Sequence, residues 1–174
     1  MTSKISRLTA AYRQHLTVPW QDGVAGIQRV IFAVYDKTDE LRLRASIDEF
    51  QLITQESQRN WLLIDLTDAF PEWMAKQEYR DAYFESPEDL AGYQAGELTQ
   101  FVNELITQLK ARLETASDHN TVVALLGVGS LFGLARVSGV VEGLKDVISG
   151  RLLVFFPGEH HPETHTYRLL DARD

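Results

Sequence analysis

The run Gly127-Val128-Gly129-Ser130-Leu131-Phe132-Gly133 lies between an apolar stretch, TVVALL, and a helical pattern. Backbone amides at the start of a helix hold anions, and glycines let a phosphate approach. The spacing therefore allows a degenerate NTPase-like turn that binds a nucleotide or other anion without hydrolysing it. It departs from the dinucleotide fingerprint, because the third glycine falls one residue late with Phe132 in its place. No acid ends the next apolar run to take a ribose. A GxxxxGK run followed by Ser or Thr is absent from the chain, which excludes phosphate-binding-loop ATP hydrolysis at this level. The competing explanation is that these glycines serve close strand-to-helix packing. Ser130 lacks both the GxSxG setting of a hydrolase nucleophile and an identifiable base.

Three further sets could carry chemistry. Asp36, Asp65 and Asp68 fall near the ends of two apolar runs, where carboxylates hold Mg²⁺ for phosphoryl transfer or simply cap helices. No DxD spacing brings two of them to one side of a turn, and capping is the simpler account. Glu159-His160-His161-Pro162-Glu163-Thr164-His165 offers imidazole and carboxylate ligands, but the proline and a loop setting leave them without a rigid frame. A solvated turn is expected there. The aromatics Trp61, Trp73, Tyr79, Tyr83 and Phe84 are mostly core candidates, yet Gln77 to Asp89 (QEYRDAYFESPED) mixes aromatics with acids as interfaces do. Tyr79, Tyr83 and Phe84, with Glu78 and Asp81, are the candidate partner-binding residues. Catalytic, cofactor and metal residues are not assigned.

Positioning such groups takes a folded domain, and the composition permits one. The chain has 174 residues, 44% apolar and 24% charged, enough to bury about two-thirds of its unfolded surface in a single domain. The net charge of −8 argues against phosphate-backbone binding by the isolated protein. The absence of cysteine excludes disulfides and zinc-thiolate sites and fits a reducing compartment. Charge interrupts MTSKISRLTAAYRQHL too often for a signal peptide. No apolar run nears the roughly 18 residues of a membrane span. A soluble, cytoplasmic protein is expected.

Periodicity supplies the elements. Ile5, Leu8, Tyr12 and Leu16 share one helix face. RVIFAVY (29–35) and WLLIDL (61–66) read as buried strands, separated by a helix that Asp36 or Thr38 caps and that runs to about Glu56, burying Leu43, Ile47, Phe50 and Ile53. A long helical crossover follows. Asp68 caps its first turn, and Ser86-Pro87-Glu88-Asp89 starts a later helix. Leu98, Phe101, Val102, Leu105, Ile106, Leu109 and Leu113 then form an apolar stripe. Thr121 to Leu126 is the third strand. Leu131 to Ile148 reads as a helix broken near Ser138-Gly139. Leu152 to Phe156 is the fourth strand, stopped by Pro157-Gly158, and Thr166 to Leu170 is an edge strand. Helices between strands imply an α/β fold with a mostly parallel sheet of four or five strands covered on both faces. Strand order is not readable from the pattern.

FAVYD (32–36), IDLTDAFPEWMA (64–75), LLGVGSLFGLARVS (125–138), GRLLVFFPGE (150–159) and YRLLDARD (167–174) together resemble the BrxB-like proteins of BREX, the bacteriophage-exclusion systems. The resemblance implies an accessory role without enzymatic activity in phage restriction and host-DNA methylation. It implies bridging to other BREX components, the PglZ-like protein above all, with DNA reached only through a complex. Family members continue past DARD with another aromatic segment, so it also implies a chain shortened at its C-terminus.

Overall fold

Four apolar runs pair side by side in parallel. The computed structural model describes residues 4–21, 23–86, 96–164, 166–170 and 172–173. Strands β1 (Val30–Tyr35), β2 (Asn60–Asp65), β3 (Thr121–Leu126) and β4 (Arg151–His161) lie in the order β2-β3-β4-β1. Val123 pairs with Leu62 on one side and Leu152 on the other, and Val154 pairs with Phe32. All six residues of β3 are buried, as a strand covered on both faces requires. The fold class is therefore α/β with a mostly parallel sheet, as the alternation of strands and helices implies.

One face of the sheet carries α1 (Lys4–Thr17), α2 (Glu40–Ala45) and α3 (Ile47–Glu56). Ile5, Tyr12, Leu43, Phe50 and Ile53 pack there on Ala33, Ala124, Leu153 and Phe155. The other carries α4 (Ala69–Met74), α6 (Gly96–Ala116) and α7 (Val137–Leu144), whose Trp73, Phe101, Leu105, Val140 and Leu144 cover Ile64, Val123, Leu152 and Val154. The connection from β1 to β2 runs across one face. Those from β2 to β3 and β3 to β4 return across the other, so all three crossovers keep one hand.

The elements depart from expectation in three places. The helix after β1 is divided: a 3-10 turn (Lys37–Asp39) precedes α2, and α3 starts after Ser46. The Ser46 hydroxyl donates to the Arg42 carbonyl at 3.0 Å, a back-bond that bends a helix. The segment after β3 begins with a 3-10 turn (Val128–Leu131), and α7 forms only from Val137. Ser138-Gly139 therefore lies inside α7, and the break comes earlier, around Gly133 in the left-handed region at φ +75°.

The third departure is β4, which does not stop at Pro157-Gly158 but continues to His161 and pairs antiparallel with β5 (Thr166–Leu169). Pro157 falls at the last pair of the parallel ladder, opposite Tyr35, so its missing N–H removes no interior bond. Its carbonyl accepts from Leu170 N at 2.9 Å. A Cβ on Gly158 would stand 1.9 Å from the Arg168 carbonyl oxygen, so the hairpin closes only around glycine. A short β6 (Ala172–Arg173) adds a last strand beside β5. Pro87, Glu88 and Asp89 of the expected helix start lie outside the described residues.

Candidate functional site

The crossover from β2 buries its first half and exposes its second. Trp73 stacks on Phe70 and tilts against Phe101, with ring centroids 5.8 and 5.5 Å away, and belongs to the core. Met74 is buried beside it. Past Met74 the chain leaves the sheet and forms α5 (Arg80–Glu85). Tyr79 and Phe84 are 65% and 69% exposed there. Glu78 and Asp81 are exposed with them, and Arg80 lies 3.6 Å from the Asp81 carboxylate. Tyr83 is in α5, and its side chain lies outside the described set. Four of the five candidate partner-binding side chains thus stand at the surface of one short segment. Trp61 is half-buried on the opposite face of the sheet.

The carboxyl ends of the strands, where α/β sheets receive ligands, are occupied by a network of the chain's own polar groups. Arg44 donates through Nε to Glu40 at 2.7 Å, through Nη1 to Asp65 at 2.9 Å and through Nη2 to the Thr67 hydroxyl at 2.7 Å. The Tyr35 hydroxyl donates to Glu40. Burial, together with that carboxylate, pushes the Tyr35 phenol well above its ordinary range. Asp65 also accepts from the Thr67 amide at 3.0 Å. Asp36 accepts from the Thr38 amide at 2.9 Å and hydroxyl at 2.7 Å, which holds its carboxyl down to about 2. Asp36 therefore caps the turn that follows β1, and Asp65 holds its own loop at Thr67 while pairing with Arg44. Asp68 stands at the N-terminus of α4 without a side-chain cap bond. Among the described residues no three His, Asp or Glu side chains gather as a metal site.

The glycine turn is shaped by the same network. Gly127 has φ +75°, and a Cβ there would stand 2.5 Å from both Asp65 Oδ1 and Thr67 Oγ1. The Ser130 hydroxyl lies 2.8 Å from the carbonyls of Leu66 and Gly127, tying the turn to β2. The Ser130 and Phe132 amides donate back to Gly127 and Gly129. The turn is not followed directly by an α-helix N-terminus, because α7 starts at Val137.

Burial opposes ionisation of Asp65, but the Thr67 hydroxyl, Arg44 and the Thr67 amide outweigh it and hold its pKa below the usual carboxylate value. Its folded pKa lies below the unfolded one, so its contribution to stability is complete above the unfolded value near 3.8. That contribution is lost as pH falls through the depressed folded value. Unfolding free energies of wild type and Asp65→Asn, measured from pH 7 down to pH 2, should differ most at neutral pH and converge in acid. Parallel curves would show that Asp65 is not held this way.

The histidine stretch is partly strand, not loop. Glu159, His160 and His161 extend β4, with the His160 ring stacked 4.7 Å from Tyr167 and His161 3.7 Å from Glu159. A cleft of about 680 Å³ separates them from the first turns of α1, with Lys4, Arg7, Asp36 and Glu159 on its walls. Sequence reading gave no sign of it, because α1 and the outer part of β4 meet only in the folded chain. Its charges are mixed, and Lys4 lies 3.5 Å from Asp36.

These features define a class: a two-faced parallel α/β domain with internally satisfied strand ends and an exposed aromatic, acidic crossover. The family model described as BREX protein BrxB matches residues 62–173, and the chain belongs to that family. It is thereby a component of a BREX phage-defence system. The match runs from within β2 to β6 and leaves α1, β1, α2, α3 and the first two residues of β2 outside. No curated protein and no solved structure matches the chain. Among the described residues no helix is long and apolar enough to cross a membrane.

Proposed function

We propose that the chain is a non-enzymatic adaptor of its BREX system. It supports phage restriction and host-DNA methylation by holding other components together, the PglZ-like protein first among them, and meets DNA only through that assembly. The observation that carries this reading is the pair Tyr79 and Phe84, each about two-thirds exposed, whereas Phe70, Trp73 and Phe101 of the same crossover lie in or against the core. Rigid aromatics beside acids are the composition of interface hot spots and of rims that steer a basic partner. The strand ends support it from the other side. Arg44, Glu40, Asp65, Thr67 and Tyr35 engage one another there, so the usual catalytic position of the fold is spent on holding β1, α2 and β2 together.

The test is co-purification of Tyr79→Ala/Phe84→Ala with the tagged PglZ-like protein. Both side chains are surface groups, so the variant should keep wild-type thermal stability to within a few degrees. It should lose at least about tenfold in recovered partner, the scale of losing one or two hot-spot side chains. A stable variant that recovers the partner undiminished removes this face from the proposal.

A further inference from the structure

At the opposite, amino ends of the strands, three arginines converge with no carboxylate paired to them among the described residues. Arg29 directly precedes β1, Arg59 directly precedes β2, and Arg151 opens β4. The Arg59 and Arg151 guanidiniums lie 3.9 and 4.5 Å from the centroid of one ring, Trp20. Their acceptors are neutral. Arg29 donates to the carbonyls of Val24, Ile148 and Ser149, Arg59 to the Asn120 side chain, and Arg151 to the Gly150 carbonyl. Five N–H donors on each guanidinium leave several to spare. Trp20 Nε1 is buried without an acceptor among the described residues, as are the Nε1 atoms of Trp61 and Trp73, so Trp20 serves this cluster through its ring face.

This arrangement is costly for an acidic chain. Asp and Glu number 25 against 17 Lys and Arg, and Arg13, Arg42, Arg44 and Arg80 each sit against an acid. Among the described residues no acid pairs with Arg29, Arg59 or Arg151. All three are half-buried, so water screens their repulsion less than at an open surface. Burial, and then the charges of Arg29 and Arg59, push the Arg151 pKa down. His15 lies close to the same group, and burial and then the Arg151 charge lower its pKa. Two cations stacked on an indole, with a third nearby and only neutral acceptors among the described residues, form a donor-rich and acceptor-poor site. A tetrahedral oxyanion meets that need, since guanidinium forks match its oxygens and a dianion offsets most of the local charge.

We propose that Arg29, Arg59 and Arg151 around Trp20 bind a phosphate-type oxyanion, carried by inorganic phosphate or by a small phosphate monoester. Duplex DNA is not the source. Its backbone needs a broad cationic face, and the net charge of −8 repels a polyanion. The site is independent of the adaptor reading, because the crossover leaves from the carboxyl end of β2.

The test follows the Trp20 indole N–H resonance, identified by its loss in Trp20→Phe, while inorganic phosphate replaces chloride at constant ionic strength. A saturable shift is expected in the wild-type chain, weakened about tenfold or more in Arg151→Gln and in Arg59→Gln, the scale of losing a charged hydrogen-bond donor. AMP binding where phosphate also binds identifies a monoester site, and phosphate binding without AMP identifies a site closed to esters; both support the proposal. No saturable shift, or one that both variants retain, overturns it. So does a short DNA duplex that shifts the resonance when phosphate does not. Two variants acting on one site keep the result readable if either folds poorly.

Discussion

A Phe155→Ala variant is expected to lose about 3–5 kcal/mol of unfolding free energy, the usual range for a phenylalanine removed from a packed core. Phe155 lies on β4, flanked by β3 and β1, opposite Ala33 and fully buried. Its ring meets Phe50 of α3 edge-on, with centroids 4.9 Å apart, and Phe50 in turn meets Tyr12 of α1 at 5.4 Å. Phe155 therefore joins the sheet to α3 and, through Phe50, to α1. The vacated space cannot be closed by moving a single element, because β4 is held on both edges and α3 is held by α1. Denaturant titration should show a lowered midpoint with an unchanged slope. Phe132→Ala is the comparison: that ring is 44% exposed, and its loss should stay within about 0.5 kcal/mol. Equal losses at the two positions would mean that the core does not sit on this face of β4.

The parts of the fold that were legible in sequence are those whose apolar runs are continuous. Only β3 and the parallel part of β4 past Arg151 are buried throughout, while β1 and β2 at the sheet edges are mostly half-buried. VIFAVY, WLLI, TVVALL and LLVFF are apolar or nearly so at successive positions, which fits strands of a parallel sheet. The stripe Phe101, Leu105, Leu109 and Leu113 is long enough to define one helix face, and all four are buried. Short elements were not legible. Periodicity does not separate Trp73, which is core, from Phe84, which is exposed, because six-residue helices such as α4 and α5 are too short for it to assign a face. Only the denser acids around Phe84 set the two apart in sequence. Pro157-Gly158 reads as a stop by composition. It becomes a strand because the parallel ladder with β1 ends at that residue and β5 needs a glycine opposite Leu169. The arginine cluster was beyond reach for a related reason. Its members stand at 29, 59 and 151, and only the order β2-β3-β4-β1 with the loop of Trp20 folded beneath it brings them together. The aromatic and acidic crossover was the one site feature visible locally, since Tyr79, Asp81 and Phe84 lie within a few residues of one another.

Gly127→Ala is expected to destabilise the chain in the absence of any nucleotide. The left-handed backbone costs a non-glycine residue about 1–3 kcal/mol, and forcing a methyl group into filled space costs a comparable amount. Both apply here. The added Cβ would stand 2.5 Å from Asp65 Oδ1 and Thr67 Oγ1 and 2.8 Å from the Thr67 backbone nitrogen, so the β2 loop has to move. Gly133→Ala separates the two terms. Gly133 also has φ +75°, but a Cβ there meets nothing within 4 Å, so only the backbone cost remains. The difference between the variants reads the packing of the turn against Asp65 and Thr67. Displacing Asp65 should also weaken its pair with Arg44, so the acid dependence of stability should flatten in Gly127→Ala and not in Gly133→Ala. A glycine kept for the approach of a phosphate behaves differently: its alanine variant stays as stable as Gly133→Ala without ligand and loses only anion binding. Equal stability of the two variants would therefore return the turn to the nucleotide reading. A Gly127→Ala variant clearly less stable than Gly133→Ala would leave the glycine explained by the ion-paired network that closes the carboxyl ends of β1 and β2.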